Sequence, residues 1–200
     1  MSKAGEAPIP YQKILYLESV GAQYVEIPDV TYSASNDYLI KCRLISTDAT
    51  QSSVLNGWDA GGAFGFRYNG YNNGDGTIFG TGSSNSISNV SLLINKLSNT
   101  LTTMTVNVGG AVYERSRSHG SLATYASNKG YHLFACWSQT SVKYFCKERI
   151  YYCKIYVNNS LVKDLVPVRI ENDGFLYDKI SGSLYQNLGS GAFILGNDVN

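Results

Sequence analysis

The chain has 200 residues, 44% apolar and 16% charged, with sixteen basic against fifteen acidic side chains for a formal charge of +1. This composition supports one globular domain with a real core and excludes a disordered chain. It carries neither the basic footprint of a nucleic-acid binder nor a basic run suited to anionic lipid, so the expected partner is neutral or recognised by shape.

Residues 1–10 are polar, contain Pro8 and Pro10, and read as a flexible N-terminal tail. They show no apolar h-region of a signal peptide, and no stretch of the chain approaches the ~20 apolar residues of a membrane span. A single domain is expected over residues 11–200. Period-2 alternation dominates it, in "KILYL", "QYVEI", "DYLIKCRLI", "SSVLN", "FGFRY", "TIFG", "VSLLIN", "LTTMTVNV", "AVYERS", "YHLFACW" and "RIYYCKIYV". Turn signals separate these runs, among them "SASND", "NGYNNGDG", "NVGGA" and "YVNNS". "SHGSLATYASNK" has room for one short helical turn, and no segment has a long 3.6-residue stripe. Many short strands between such turns predict an all-β fold, a two-sheet antiparallel β-sandwich.

Sixteen tyrosines stand out. Tyrosine favours strands and also supplies flat amphipathic contact surface, so its excess fits both a β fold and a binding face. Nine of the twenty glycines fall between Gly57 and Gly82, which predicts tight hairpins at one end of the sandwich. That region also holds Trp58, Asp59, Arg67, Tyr71, Asn72 and Asn73, an assortment of aromatic, amide and charged groups suited to a sugar ring. They are the candidate ligand-binding residues, because loops on a rigid scaffold are where binding groups concentrate. Phe64, Phe66 and Tyr68 alternate and are expected to share one face. Asp59 and Asp75 are weak calcium candidates, since no D-x-D-x-D-G loop accompanies them; no cofactor is expected.

Catalytic patterns are scarce. The six glutamates have no carboxylate two residues away except Glu171 with Asp173, which read as solvated turn residues. No G-x-S-x-G elbow and no phosphate-cradling loop occurs. His132 is expected to be a satisfied strand histidine. Cys42, Cys136, Cys146 and Cys153 form no C-x-x-C pair and are expected to be reduced, buried hydrophobes.

From Arg149 the chain reads "RIYYCKIYVNNSLVKDLVPVRIENDGFLYDKISGSLYQNLGSGAFILGND". This resembles the C-terminal part of concanavalin A-like, laminin G-like jelly-roll domains of phage tail and prophage structural proteins and of gut-bacterial surface proteins. "LYLESVGAQYVEIP" is similar to the opening strands of that family, and "GAFGFRYNGY" to its aromatic-glycine hairpin. The resemblance implies paired opening and closing strands. It implies a non-catalytic binding or adhesion module for carbohydrate on a cell surface, located on a virion or outside the cell. The rivals are a structural domain that binds protein neighbours in a virion or surface assembly, and a glycoside hydrolase or lyase of the same fold. Neither nucleic acid nor membrane insertion is expected.

The clustered acid, base and phenols of "GFLYDKISGSLYQNLGSG" are then a fold-closing element. In this reading "LVKDLVPVR" is a strand ended by Pro167, "DGF" turns it, and "LYD" pairs with "SLYQN" over "KISG". Gly182 relieves the turn, Asp178 bonds turn amides, and Tyr177 and Tyr185 pack across the hairpin.

Overall fold

The computed structural model describes residues 10–33, 35–46, 54–57, 65–68, 78–80, 88–96, 101–108, 111–118, 126–138, 141–143 and 145–199. Among them the strands in chain order are β1 (Gln12–Lys13), β2 (Leu17–Val20), β3 (Val25–Ser33), β4 (Tyr38–Ser46), β5 (Val54–Gly57) and β6 (Gly65–Tyr68). Next come β7 (Ile78–Gly80), β8 (Ser88–Lys96), β9 (Leu101–Val108), β10 (Ala111–Ser118), β11 (Ala126–Leu133) and β12 (Cys136–Ser138). The last six are β13 (Ser141–Lys143), β14 (Lys147–Val157), β15 (Ser160–Ile170), β16 (Asp173–Asp178), β17 (Leu184–Tyr185) and β18 (Ile194–Leu195). No helix occurs among the described residues, so the fold is all-β, as the alternation predicts. Of the segment suggested for a helical turn, Ser118 closes β10 and residues 126–129 belong to β11. The remainder lies outside the described residues.

An 11-stranded sheet runs β10-β9-β8-β4-β14-β15-β16-β17, with β1, β2 and β18 attached beside it. A 5-stranded sheet runs β3-β11-β5-β6-β7, and β12 and β13 form a small hairpin. All pairings are antiparallel except β6 with β7. The two larger sheets make a β-sandwich. Buried residues of β3 and β11 (Val25, Ile27, Tyr131, Leu133) and of β4, β14 and β15 (Ile40, Cys42, Ile150, Cys153, Ile155, Leu165) form its core. Each fully buried aliphatic side chain of this kind contributes about 1.5–3 kcal/mol.

Residue chemistry explains the long hairpin at the centre. Between β14 and β15, Asn158 and Asn159 have φ of 48° and 65°, and Val157 pairs with Ser160. Two consecutive left-handed residues are what a tight two-residue turn with the strands' own twist requires, and asparagine tolerates that region best after glycine.

Pro167 does not end β15, which continues to Ile170. Pairing with β14 runs through Leu165, and pairing with β1 begins at Val168. Pro167 therefore sits where β15 changes neighbours. Its carbonyl accepts from the Ile14 amide on that side, 3.2 Å away, so the missing N–H falls at a gap in the ladder. The turn that follows is Glu171–Asn172, with Glu171 at φ 54°, and "DGF" already belongs to β16. Gly174 is needed there for packing, because a Cβ would come within 2.4 Å of Leu17 and 2.7 Å of Leu195. Glu171 and Asp173 are exposed, as expected of turn carboxylates.

The opening and closing strands do meet. β18 pairs with β2, Ile14 bridges Asp198, and the Val199 amide donates to the Lys13 carbonyl at 2.9 Å. "YHLFACW" is not one strand. Buried Phe134 takes φ 67° and breaks it into β11 and β12, and its carbonyl accepts from Cys146. Cys42, Cys146 and Cys153 are reduced thiols and buried, as expected, while the Cys136 side chain lies outside the described set.

Candidate functional site

The acid-base-phenol stretch is a structural knot. Asp178 is fully buried, and its carboxylate accepts five hydrogen bonds. Oδ1 takes the amides of Asp164 (3.0 Å) and Ile180 (3.1 Å). Oδ2 takes the Ser181 hydroxyl (2.6 Å), the Ser181 amide (3.3 Å) and the Lys163 ammonium (3.2 Å). Burial pushes the Asp178 carboxyl up. The bonds from Ser181, the two amides and Lys163 outweigh it and leave its pKa at about 2. Burial likewise pushes Lys163 down, and its bonds to Asp29, Tyr185 and Asp178 reverse the effect and hold it above the usual lysine range.

The hairpin over "KISG" exists, with Gly182 at φ 75° and the turn amides on Asp178 as expected. The tyrosines do not pack across it. Leu176 is opposite Tyr185 and Tyr177 is opposite Leu184, so the two phenols fall on opposite faces. The Tyr177 ring meets the Tyr11 ring at a tilt, centroids 4.5 Å apart, while the Tyr185 hydroxyl turns inward and accepts from the Lys163 ammonium at 2.9 Å. Every acid here is engaged by a cation or an amide, so the knot closes the fold and presents no reactive pair.

Of the predicted binding residues, Trp58, Asp59, Tyr71, Asn72 and Asn73 lie outside the described residues, as do the calcium candidate Asp75 and Phe64. Arg67 stands in β6, opposite Leu55. Among the described residues no three His, Cys, Asp or Glu side chains are placed to hold a metal ion. Gly57, which precedes the predicted loop, pairs with His132. Around that pair lies an aromatic cluster. Tyr24 stacks with His132 at 5.9 Å and meets Phe145 edge-on at 5.9 Å, and Lys129 sits 4.3 Å over the Trp137 ring.

His132 is not the satisfied histidine expected from sequence. It is fully buried and neither ring nitrogen has a hydrogen-bond partner. Burial lowers its pKa against the opposing pull of Glu26 and of the Gly130 and Gly57 backbone, so the ring is neutral near pH 7.

A third arrangement lies on the outer face of the large sheet, turned away from the core. On β14 the register slips between Ile150 and Tyr152, so Tyr151 is an extra residue in a bulge. A bulge re-aims side chains. Here Ile150 and Cys153 stay buried while Tyr151 and Tyr152 are both half-buried on the outer side. Lys154 and Tyr156 follow on the same face. Opposite them on β4, the buried Ile40 and Cys42 alternate with Lys41 and Arg43, which the register sets against Lys154 and Tyr152. On the far side of β14, Glu18 faces Arg149 and Tyr16 lies beside them.

Cations cover three of the four tyrosine rings of this face. The Arg43 guanidinium lies 4.9 Å from the Tyr151 centroid, Arg149 lies 4.6 Å from Tyr16, and the Lys41 ammonium lies 5.5 Å from Tyr156. Tyr16 and Tyr151 touch at 5.7 Å. Arg149 pairs with Glu18 and Lys154 with Asp164. Among the described residues Lys41 and Arg43 have no carboxylate partner, and the hydroxyls of Tyr16, Tyr151, Tyr152 and Tyr156 have no hydrogen-bond partner. The register continues the same side of the ladder through Asn89 and Ser91 of β8 and Asn107 of β9.

No family model matches the chain, and no curated protein matches it.

Sequence reasoning missed this face. Its signal was present in "KCR" and "YYCKIY", where cations and tyrosines alternate with buried residues. The doubled tyrosine concealed it, because strict alternation puts one of the pair inside.

Proposed function

We propose that the chain is a non-catalytic binding module that recognises carbohydrate, acting as an adhesion or structural part of a virion or cell surface. The observation that carries this reading is the outer face of β4 and β14 beside β2, where four half-buried tyrosines, their hydroxyls without a hydrogen-bond partner among the described residues, stand among charged groups. Sugars present many hydroxyls, and tyrosine hydroxyls held on a sheet meet them with little conformational entropy to lose. The resemblance of both ends of the chain to jelly-roll domains supports the same reading by analogy of fold. A glycan array tests it: the parent protein binds a defined set of glycans, and Tyr151→Ala with Tyr152→Ala abolishes that binding while the protein stays folded.

One observation favours the rival in which the domain binds a protein neighbour. Leu15, Ile194 and Val199 are 47%, 47% and 40% exposed where the opening and closing strands run side by side. Light scattering that finds a stable oligomer, together with a negative glycan array, would move the reading there.

A further inference from the structure

The outer face has a charge character that the near-zero net charge conceals. It bears Lys41, Arg43, Arg149 and Lys154 against Glu18 and Asp164. The two carboxylates are committed to Arg149 and Lys154, and this leaves Lys41 and Arg43 as its uncompensated cations among the described residues. The register also sets Lys41 directly opposite Lys154. Asp164 offsets Lys154 but no carboxylate among the described residues offsets Lys41, and like charges facing one another across an antiparallel pair are unfavourable. An anion laid across the strands would relieve it.

We infer that this face binds an anionic polysaccharide, with Lys41 and Arg43 engaging its acid groups and the tyrosine hydroxyls its sugar hydroxyls. The inference rests on the carbohydrate-binding reading above and names the class of sugar. Two features select this polyanion over single-stranded nucleic acid. Base recognition of that kind relies on open aromatic faces for stacking, whereas Arg43, Arg149 and Lys41 already lie over the rings of Tyr151, Tyr16 and Tyr156. What the covered rings still offer is their hydroxyls, beside two unmatched cations. That combination suits a ligand rich in both hydroxyls and acid groups. Arginine adds a planar fork that matches a carboxylate in bidentate fashion.

The test compares the full chain and the Lys41→Gln/Arg43→Gln variant against four polymers: polygalacturonate, fully methyl-esterified pectin, neutral dextran and poly(dT). Both substituted side chains lie on the surface, and a thermal melt checks that the fold is kept. The expected result is binding to polygalacturonate with roughly tenfold or greater weakening in the double variant, the scale set by hydrogen bonds to charged groups. Esterification of the same backbone abolishes binding. Raising salt toward ~1 M, where the Debye length shrinks to about 3 Å, weakens it strongly. A sulfated dextran distinguishes the acid group: binding to it as well as to polygalacturonate keeps the anionic class and makes the carboxylate incidental. Equal binding of dextran and polygalacturonate, unaffected by salt, overturns the inference while leaving the carbohydrate reading intact. Preference for poly(dT) overturns it in favour of a nucleic-acid surface. Failure to bind any acidic polymer overturns it, and a negative array of neutral and acidic glycans removes the carbohydrate reading as well.

Discussion

Replacing Asp178 with asparagine removes one charge from a site built around it, with little change of shape. In the parent, Oδ2 accepts from the Ser181 hydroxyl, the Ser181 amide and the Lys163 ammonium. Asparagine can keep its oxygen on the Asp164 and Ile180 amides, but then its NH2 group faces three donors. Lys163 retains only Tyr185 and Asp29, and the Asp29 side chain is 59% exposed, so that pair compensates little. Breaking a buried ion pair from one side costs about 3–5 kcal/mol. For a chain of this size that corresponds to a fall in Tm of roughly 6–20 °C.

Part of the cost depends on charge. A carboxyl held at about 2 against an ordinary 3.8 contributes about 2.5 kcal/mol to stability. Because the folded pKa is depressed, this contribution is complete above pH ~5, falls as pH drops past the unfolded value and through about 2, and is gone near pH ~1. Urea unfolding of parent and Asp178→Asn at a series of pH values measures both quantities. The gap between them should be widest near neutrality and should narrow by about 2.5 kcal/mol between pH ~5 and ~1. A variant within about 0.5 kcal/mol of the parent throughout, the range of ordinary surface substitutions, refutes the view of this stretch as a fold-closing knot.

His132→Phe should be neutral or stabilising at pH 7, since the buried ring nitrogens have no partners to lose. Because burial depresses the folded pKa of His132, the parent loses stability as pH falls below ~6.5 and through that folded value; the variant should lack this slope in thermal melts. Gly189→Ala should destabilise by about 1–3 kcal/mol in chemical denaturation, because its Cβ would lie 2.0 Å from the Ala22 carbonyl oxygen, a backbone atom that cannot swing away. Thiol titration of the unfolded, non-reduced protein should find four thiols. In the native state Cys42 should stay unlabelled near pH 8, because contact with the Cys153 thiol and burial both push its pKa well up; prompt native labelling would contradict that burial.

The sheets were legible because alternation is a local signal. Ile40 and Cys42 on β4, and Ile155 on β14, follow the pattern and are buried. Features set by a partner strand were not legible. Nothing local marks Pro167 as the point where β15 trades β14 for β1, so the sequence reads as a strand ending there. Phe134 gives no sign of a positive φ, which a bulky residue rarely adopts, and the break between β11 and β12 followed from it unseen. Proximity in sequence pairs the phenols of Tyr177 and Tyr185, but the actual register is one residue removed, and one residue sends a strand's side chains to the opposite face.

The distribution of charge is not legible in the sequence for the same reason. A formal total of +1 is a sum over the whole chain, and it suggested a neutral partner. The topology sorts the terms of that sum. Asp178 and Asp29 gather around Lys163 at the knot, and Asp164 is held between Lys154 and Lys179. These acids are consumed in closing the fold. Lys41 and Arg43, on a strand whose neighbouring positions bring no acid to them among the described residues, are left to the outer face. A ligand within a Debye length of that face, about 10 Å at 0.1 M salt, responds to those nearest cations and hardly at all to the total. Net charge therefore excludes a strongly basic molecule without excluding a basic face, and only the pairing of β4 with β14 tells the two apart.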